Sequence, residues 1–212
     1  MYYLRTFSLV IFTSLFWSKQ VVAQKNSNLS TLVASFNAAP KEYDYTQLVS
    51  SFEKLPVSPN ETKDWLPSYY LSLLYTRLSF QAKKGGDLYA DKAIFLAQQS
   101  MAIQTNDENY CALSMAYTAK MAVSPYMRWL SYEKSIYEPL QKAKKINTNN
   151  PRIYILEASL QMNIPSIFGG GCAKSKTILV KAKQLLDKQV PSTTLPTWGK
   201  LSLDDFRETC PF

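Results

Sequence analysis

Apolar positions recur at helical spacing along most of the chain, and no stretch alternates with the period of a strand. Leu29–Phe36 and Tyr45–Leu55 read as two short helices, and Leu48, Val49, Phe52 and Leu55 share a face of the second. From Asp64, a good N-cap, a helix is expected to about Lys84. It carries two adjacent apolar rows, Trp65/Tyr69/Leu73 and Leu66/Tyr70/Leu74/Leu78, a stripe wide enough to be well buried. Gly85-Gly86 ends it, and Asp87 caps a helix running to about Gln104. Asn106-Asp107 starts the next, through about Val123, and Ser124-Pro125 breaks it. Tyr126–Leu130 reads as an aromatic-rich connector before a long helix from about Tyr132 to Asn147. Asn150-Pro151 starts another helix, a glycine loop follows, and Cys172–Lys188 closes the series. The chain then turns proline-rich, and Leu203–Glu208 reads as a short acidic turn. The fold class is all-α, with helix pairs laid end to end.

The pairs repeat. A shift of 43 residues places Gln98, Ile103, Thr105 and Asn106 on Gln141, Ile146, Thr148 and Asn149, and one residue more places Tyr110 on Tyr154. Ala97/Ser100/Ile103 then matches Leu140/Ala143/Ile146, and Leu179/Ala182/Leu185 is a third copy. A small residue one turn from its neighbours lets two helices approach closely. Periods of this size mark helical arrays, in which no repeat buries its own face alone.

Asn106-Asp107-Glu108-Asn109-Tyr110, Leu113-Ser114 and Tyr117 resemble the first helix of a tetratricopeptide repeat. Tyr154 and Ala158 fit the next copy, which departs from the pattern at Glu157. The chain also resembles a family of exported tetratricopeptide-like proteins from Bacteroidetes. The segments that carry this are Trp65-Leu66-Pro67 with Tyr69-Tyr70, Asn149-Asn150-Pro151-Arg152, Ile167-Phe168-Gly169-Gly170-Gly171, and Pro196-Thr197-Trp198-Gly199 followed by Cys210. The resemblance implies a right-handed stack of about four helix pairs and an export route, and no reaction. It further implies a groove lined by first helices, with Met115, Thr118, Ser159, Met162 and Tyr70 facing a peptide or partner helix. In a small closed stack the same residues would instead be core.

Residues 1–23 read as a signal peptide. Arg5 is the positive start, Phe7–Trp17 the apolar run, and Val21-Val22-Ala23 the cleavage signal before Gln24. The run is short for a membrane span, so no stable insertion is expected after cleavage, and the product would be periplasmic or extracellular. Residues 24–190 form the helical repeat domain and 191–212 a proline-rich tail expected to pack on the last helices. The formal charge of +8 falls to +6 without Arg5 and Lys19, and much of it lies in two lysine-rich helices. These read as solvated helix faces, and export removes most nucleic-acid roles.

The three cysteines would meet an oxidising compartment. Cys111 sits in an apolar run and reads as a buried thiol, while a return of the tail could bring Cys172 to Cys210. There is no histidine in the chain, so Ser-His-Asp and Cys-His arrangements are absent, and the cysteines show no metal-ligand spacing. Neither an enzyme nor a cofactor is expected. Gly170, Gly171 and Lys174 fail the phosphate-loop pattern, leaving only the weaker idea of an anion at a helix start. Tyr126, Arg128 and Trp129 combine the side chains common in interface anchors with a place in a loop. The expected function is therefore a non-catalytic interaction or scaffold module with a protein or peptide partner. The alternative is a small-ligand or peptide binder with an aromatic cavity between helices.

Overall fold

The computed structural model describes residues 28–40 and 42–212, so the signal peptide expected at 1–23 lies outside the described residues. Those residues are all helical, with no strand among them. The helices are α1 (28–38), α2 (Thr46–Phe52), α3 (Leu66–Gln81), α4 (Gly86–Ile103) and α5 (Asp107–Ala122). They continue as α6 (Pro125–Ile146), α7 (Pro151–Asn163), α8 (Cys172–Asp187) and α9 (Lys200–Thr209), with a 3-10 turn at Ser166–Phe168. No described helix is long and apolar enough to cross a membrane.

Packing is closest within three successive pairs, α3 with α4, α5 with α6 and α7 with α8. First helices also touch across pairs, α3 on α5 and α5 on α7. Each pair has a buried serine that bonds across it. Ser72 Oγ donates to the Ala93 carbonyl at 2.8 Å, and Ser114 Oγ to the Ile136 carbonyl at 2.8 Å. In the third pair the roles reverse, and Ser175 Oγ on α8 donates to the Ala158 carbonyl of α7 at 3.3 Å. A side chain this small brings two helix backbones together and still satisfies its own hydroxyl. The repeated trios sit at these crossings. Ala97, Ser100, Leu140, Ala143, Leu179 and Ala182 are all fully buried, whereas Ile146 is largely exposed.

The caps repeat as well. Asn106 Oδ1 accepts from the Asn109 N–H at 2.8 Å, and Asn150 Oδ1 from the Arg152 N–H at 2.9 Å. The structural counterpart of Asn106 is thus Asn150, one residue beyond the Asn149 matched by the 43-residue shift, which agrees with the extra residue before Tyr154.

Four readings are corrected. Tyr126–Leu130 is no connector: α6 begins at Pro125, where a proline ring suits the first helical turn and its missing N–H costs nothing. The helix then continues through Pro139. Leu203–Glu208 is no acidic turn: Leu203 is buried and Phe206 packs on the same core, so α9 has an apolar side to lay down. The helix after α1 ends at Phe52, short of Leu55. Finally, the tail does more than cover the last helices. It crosses back to the start of the fold, where the Thr194 carbonyl accepts from the Tyr70 hydroxyl at 2.9 Å and Thr197 Oγ1 from Asn37 Nδ2 at 3.1 Å.

Candidate functional site

The two ends of the stack differ in chemistry. At one end lie the starts of α3, α5 and α7. Here Glu108 on α5 is buried under donors from three side chains. Arg152 Nε reaches both of its oxygens, at 2.7 and 2.8 Å, Tyr69 Oη donates at 2.9 Å and Asn150 Nδ2 at 2.8 Å. The Arg152 guanidinium also donates to the Trp198 carbonyl at 3.3 Å, and the Trp198 indole N–H to Tyr69 Oη at 2.7 Å. Burial pushes the Glu108 carboxyl up, and the Arg152 charge and hydrogen bonds oppose it. Burial likewise holds the Tyr69 phenol well above its ordinary value, helped by the nearby Glu108 charge. The network ties three helices and the tail together.

Between the tail, α8 and α9 lies an open cleft of about 490 Å³. Leu186, Val190, Pro191 and Leu203 give it apolar walls, and Lys183, Lys200 and Arg207 bring cations to its rim. Lys183 pairs with Asp187 at 2.5 Å and Arg207 with Asp204 at 3.2 Å, while Lys200 has no ion pair among the described residues. The disulfide Cys172–Cys210 holds the far end of α9 against the start of α8, and so fixes the cleft's two walls. A second cleft, of about 410 Å³, lies beside Arg152 and Leu185. No aromatic side chain lines either one.

The opposite end carries the α3–α4, α5–α6 and α7–α8 turns. Arg128 pairs there with Asp87, and it also donates to the Lys120 carbonyl at 2.9 Å. Lys120 in turn bridges Asp87 and Asp91, at 2.9 and 2.8 Å. The hydrogen bonds from Arg128 and Lys120 hold the Asp87 carboxyl well below the usual carboxylate range. Around this knot Tyr126, Met127 and Leu130 stand in solvent, Tyr126 wholly so. Ile167 and Phe168, from the α7–α8 loop, are exposed at the same end.

The fold matches that of a solved structure, the HusA haemophore from Porphyromonas gingivalis. The TM-score is 0.71 and the identity 24%, over 84% of this chain and 88% of that one. That likeness shows a shared all-helical fold. No family model matches the chain, and no curated protein does.

The predicted site residues fall out as follows. Tyr70 is fully buried, so no partner can reach it. Met115 is half-buried against the core built mainly from α1–α4, and Met162 against the one built mainly from α6–α9. Thr118 and Ser159 are half-buried, and the Thr118 hydroxyl donates back to the Ser114 carbonyl. Arg128 is committed to Asp87, and half-buried Trp129 stacks edge-on against Tyr137 at 6.3 Å. Of that trio only Tyr126 is open. At the glycine loop the Gly170 N–H is given to the Pro165 carbonyl and the Gly171 N–H to the Gln161 carbonyl, and Lys174 is exposed at the start of α8. Among the described residues no His/Cys/Asp/Glu group could hold a metal ion. The cleft was missed because its walls come from a tail read as an acidic turn. The apolar spacing of Leu203 and Phe206 was the available signal.

Proposed function

We propose that this chain is an exported, non-catalytic binding protein built as a tetratricopeptide-like stack of helix pairs. Small-ligand carriage is better supported than protein scaffolding. The observation that carries this reading is the likeness, over nearly the full length of both chains, to a haemophore. A haemophore's cargo is a planar apolar macrocycle with two carboxylates. The cleft between tail, α8 and α9 suits that class: its volume lies in the range of small-molecule sites, its walls are aliphatic, and Lys200 offers an unpaired cation at the rim. No histidine, tyrosine, methionine or cysteine lines this cleft to ligate iron, so recognition there would rest on the macrocycle's faces and carboxylates.

Titrating residues 24–212 with hemin, and following the Soret band, tests the proposal. Saturable binding is expected. Val190→Glu and Lys200→Glu, both at exposed positions, should each weaken it about tenfold or more, since each sets a new charge against the ligand's apolar face or its carboxylates. Binding that ignores both substitutions would move the site. No binding at all would leave the scaffold reading.

A further inference from the structure

We infer that the end of the stack carrying Tyr126 and Phe168 seats on an anionic lipid surface. The inference is independent of the ligand reading, because it uses the opposite end of the fold.

Large apolar side chains from two separate turns are exposed together here. Tyr126 is 102% exposed, Leu130 87%, Met127 81%, Ile167 84% and Phe168 75%. That the two turns share an end follows from the topology. The helices alternate in direction, α5 packs on α7, and so the α5–α6 and α7–α8 turns fall on one side. The α3–α4 turn joins them through the Asp87–Arg128 pair.

Nothing inside the protein needs these residues there. In the first two turns of α6 Trp129 packs on Tyr137 while Tyr126, Met127 and Leu130 face outward, and Ile167 and Phe168 sit in a three-residue 3-10 turn with no buried member. Exposed apolar side chains clustered at one end mark an interaction surface. Tyrosine, methionine, leucine and phenylalanine on short projections are what an interfacial wedge uses, and a phenol suits the headgroup level.

Charge selects the occupant. Lys83 and Lys84 in the α3–α4 turn, and Lys174 and Lys176 in the first turns of α8, are exposed and have no ion pair among the described residues. The acids Asp87 and Asp91 are neutralised by Lys120 and Arg128. Exposed acids at this end are Glu208, beside Cys210, and Glu42 and Asp44, whose neighbour Tyr43 accepts from Gln81 at the end of α3; Asp44 is engaged by Thr46, and the four lysines stand against them. An apolar wedge ringed by lysine complements an anionic bilayer face, where each lysine adds to binding and the effect fades with salt. A neutral apolar protein partner would gain nothing from the ring.

The experiment is co-sedimentation of residues 24–212 with phosphatidylcholine vesicles, with and without phosphatidylglycerol, at low and high salt. Binding to the anionic vesicles should exceed that to neutral ones by roughly tenfold at low salt and fall as salt rises. Leu130→Glu combined with Phe168→Glu should abolish it, and replacing the four lysines with glutamine should leave only the weak, salt-insensitive part. All six positions are exposed, and circular dichroism checks that each variant folds. Equal sedimentation with both vesicle types, none with either, or no effect of the Leu130/Phe168 pair would overturn the inference. Hemin titration of the same variants should be unchanged, which separates this result from failure of the cleft reading.

Discussion

Arg152 Nε donates to both carboxylate oxygens of Glu108, at 2.7 and 2.8 Å, its Nη2 lies 2.5 Å from one of them, and both residues are buried. The pair joins the first helices of two successive helix pairs. Through Tyr69 and Trp198 it also draws in α3 and the returning tail. A buried ion pair adds little net stability over a well-packed apolar pair, but it punishes the loss of one member. In this chain its main consequence is specificity: a slip of α7 along α5 would strand a buried charge.

Arg152→Leu should therefore destabilise the fold by about 3–5 kcal/mol, while Glu108→Leu with Arg152→Leu should cost less than the sum of the single changes. Urea unfolding of the four proteins closes the cycle. The Arg152→Leu variant should also show a changed pH profile. Burial already raises the Glu108 carboxyl, and losing the opposing guanidinium raises it further. A raised carboxyl favours the folded state most below the ordinary carboxylate range, so this variant should lose stability as pH climbs from 4 toward neutrality.

Asp87 moves the other way. Its carboxyl is held low by hydrogen bonds from Arg128 and Lys120, so its contribution is present above the ordinary carboxylate value and is lost on acidification below it. The melting temperature should fall between pH 5 and pH 2 by less in Asp87→Asn than in the wild type. Equal falls would show that the knot at the α4–α5–α6 junction contributes nothing that titrates.

Gly170 and Gly169 should respond differently to alanine. A methyl group at Gly170 would lie 2.2 Å from the Ile164 carbonyl oxygen, a backbone contact that no rotamer relieves. At Gly169 the space is open and only its φ of +81° resists a side chain. Gly170→Ala should cost about 1–3 kcal/mol or more through overpacking, and Gly169→Ala about 1 kcal/mol through the left-handed backbone. Thermal melts of both variants give the order.

The Cys172–Cys210 bond closes a loop that holds α8, the tail and α9. Loop-closure entropy sets its contribution near 4 kcal/mol. Reduction, or Cys210→Ser, should lower the melting temperature by that equivalent, and it should loosen α9 before the α3–α6 core. Hydrogen exchange resolved by segment distinguishes this from uniform loss. Cys111, fully buried and free, should stay unreactive toward thiol reagents until global unfolding.

The sequence by itself determined the course of α3, α4, α5, α7 and α8 and the pairing of successive helices, though not α9 or the start of α6. Local signals sufficed for this: the apolar rows at helical spacing in Trp65–Leu78, the asparagine caps at Asn106 and Asn150, and the small residues Ser100, Ala143 and Ala182 at equivalent buried positions. Each of these acts over one or two turns of a single chain segment. Where a local signal cut both ways, as with Pro125, the break in pattern was visible, but whether the proline ended or began a helix depended on what α6 packs against. Only the tertiary structure decided which polar residues meet. Glu108 and Arg152 are 44 residues apart, and Tyr69 and Trp198 are 129 apart. Nothing local marks either pair, because a buried ion pair is selected by the whole packing that removes water from it. For the same reason Tyr70 and Tyr126, similar in sequence, end up at opposite extremes of exposure. The tail's path was hidden too: Thr194 and Trp198 carry no periodic signal, and their partners lie at the other end of the chain.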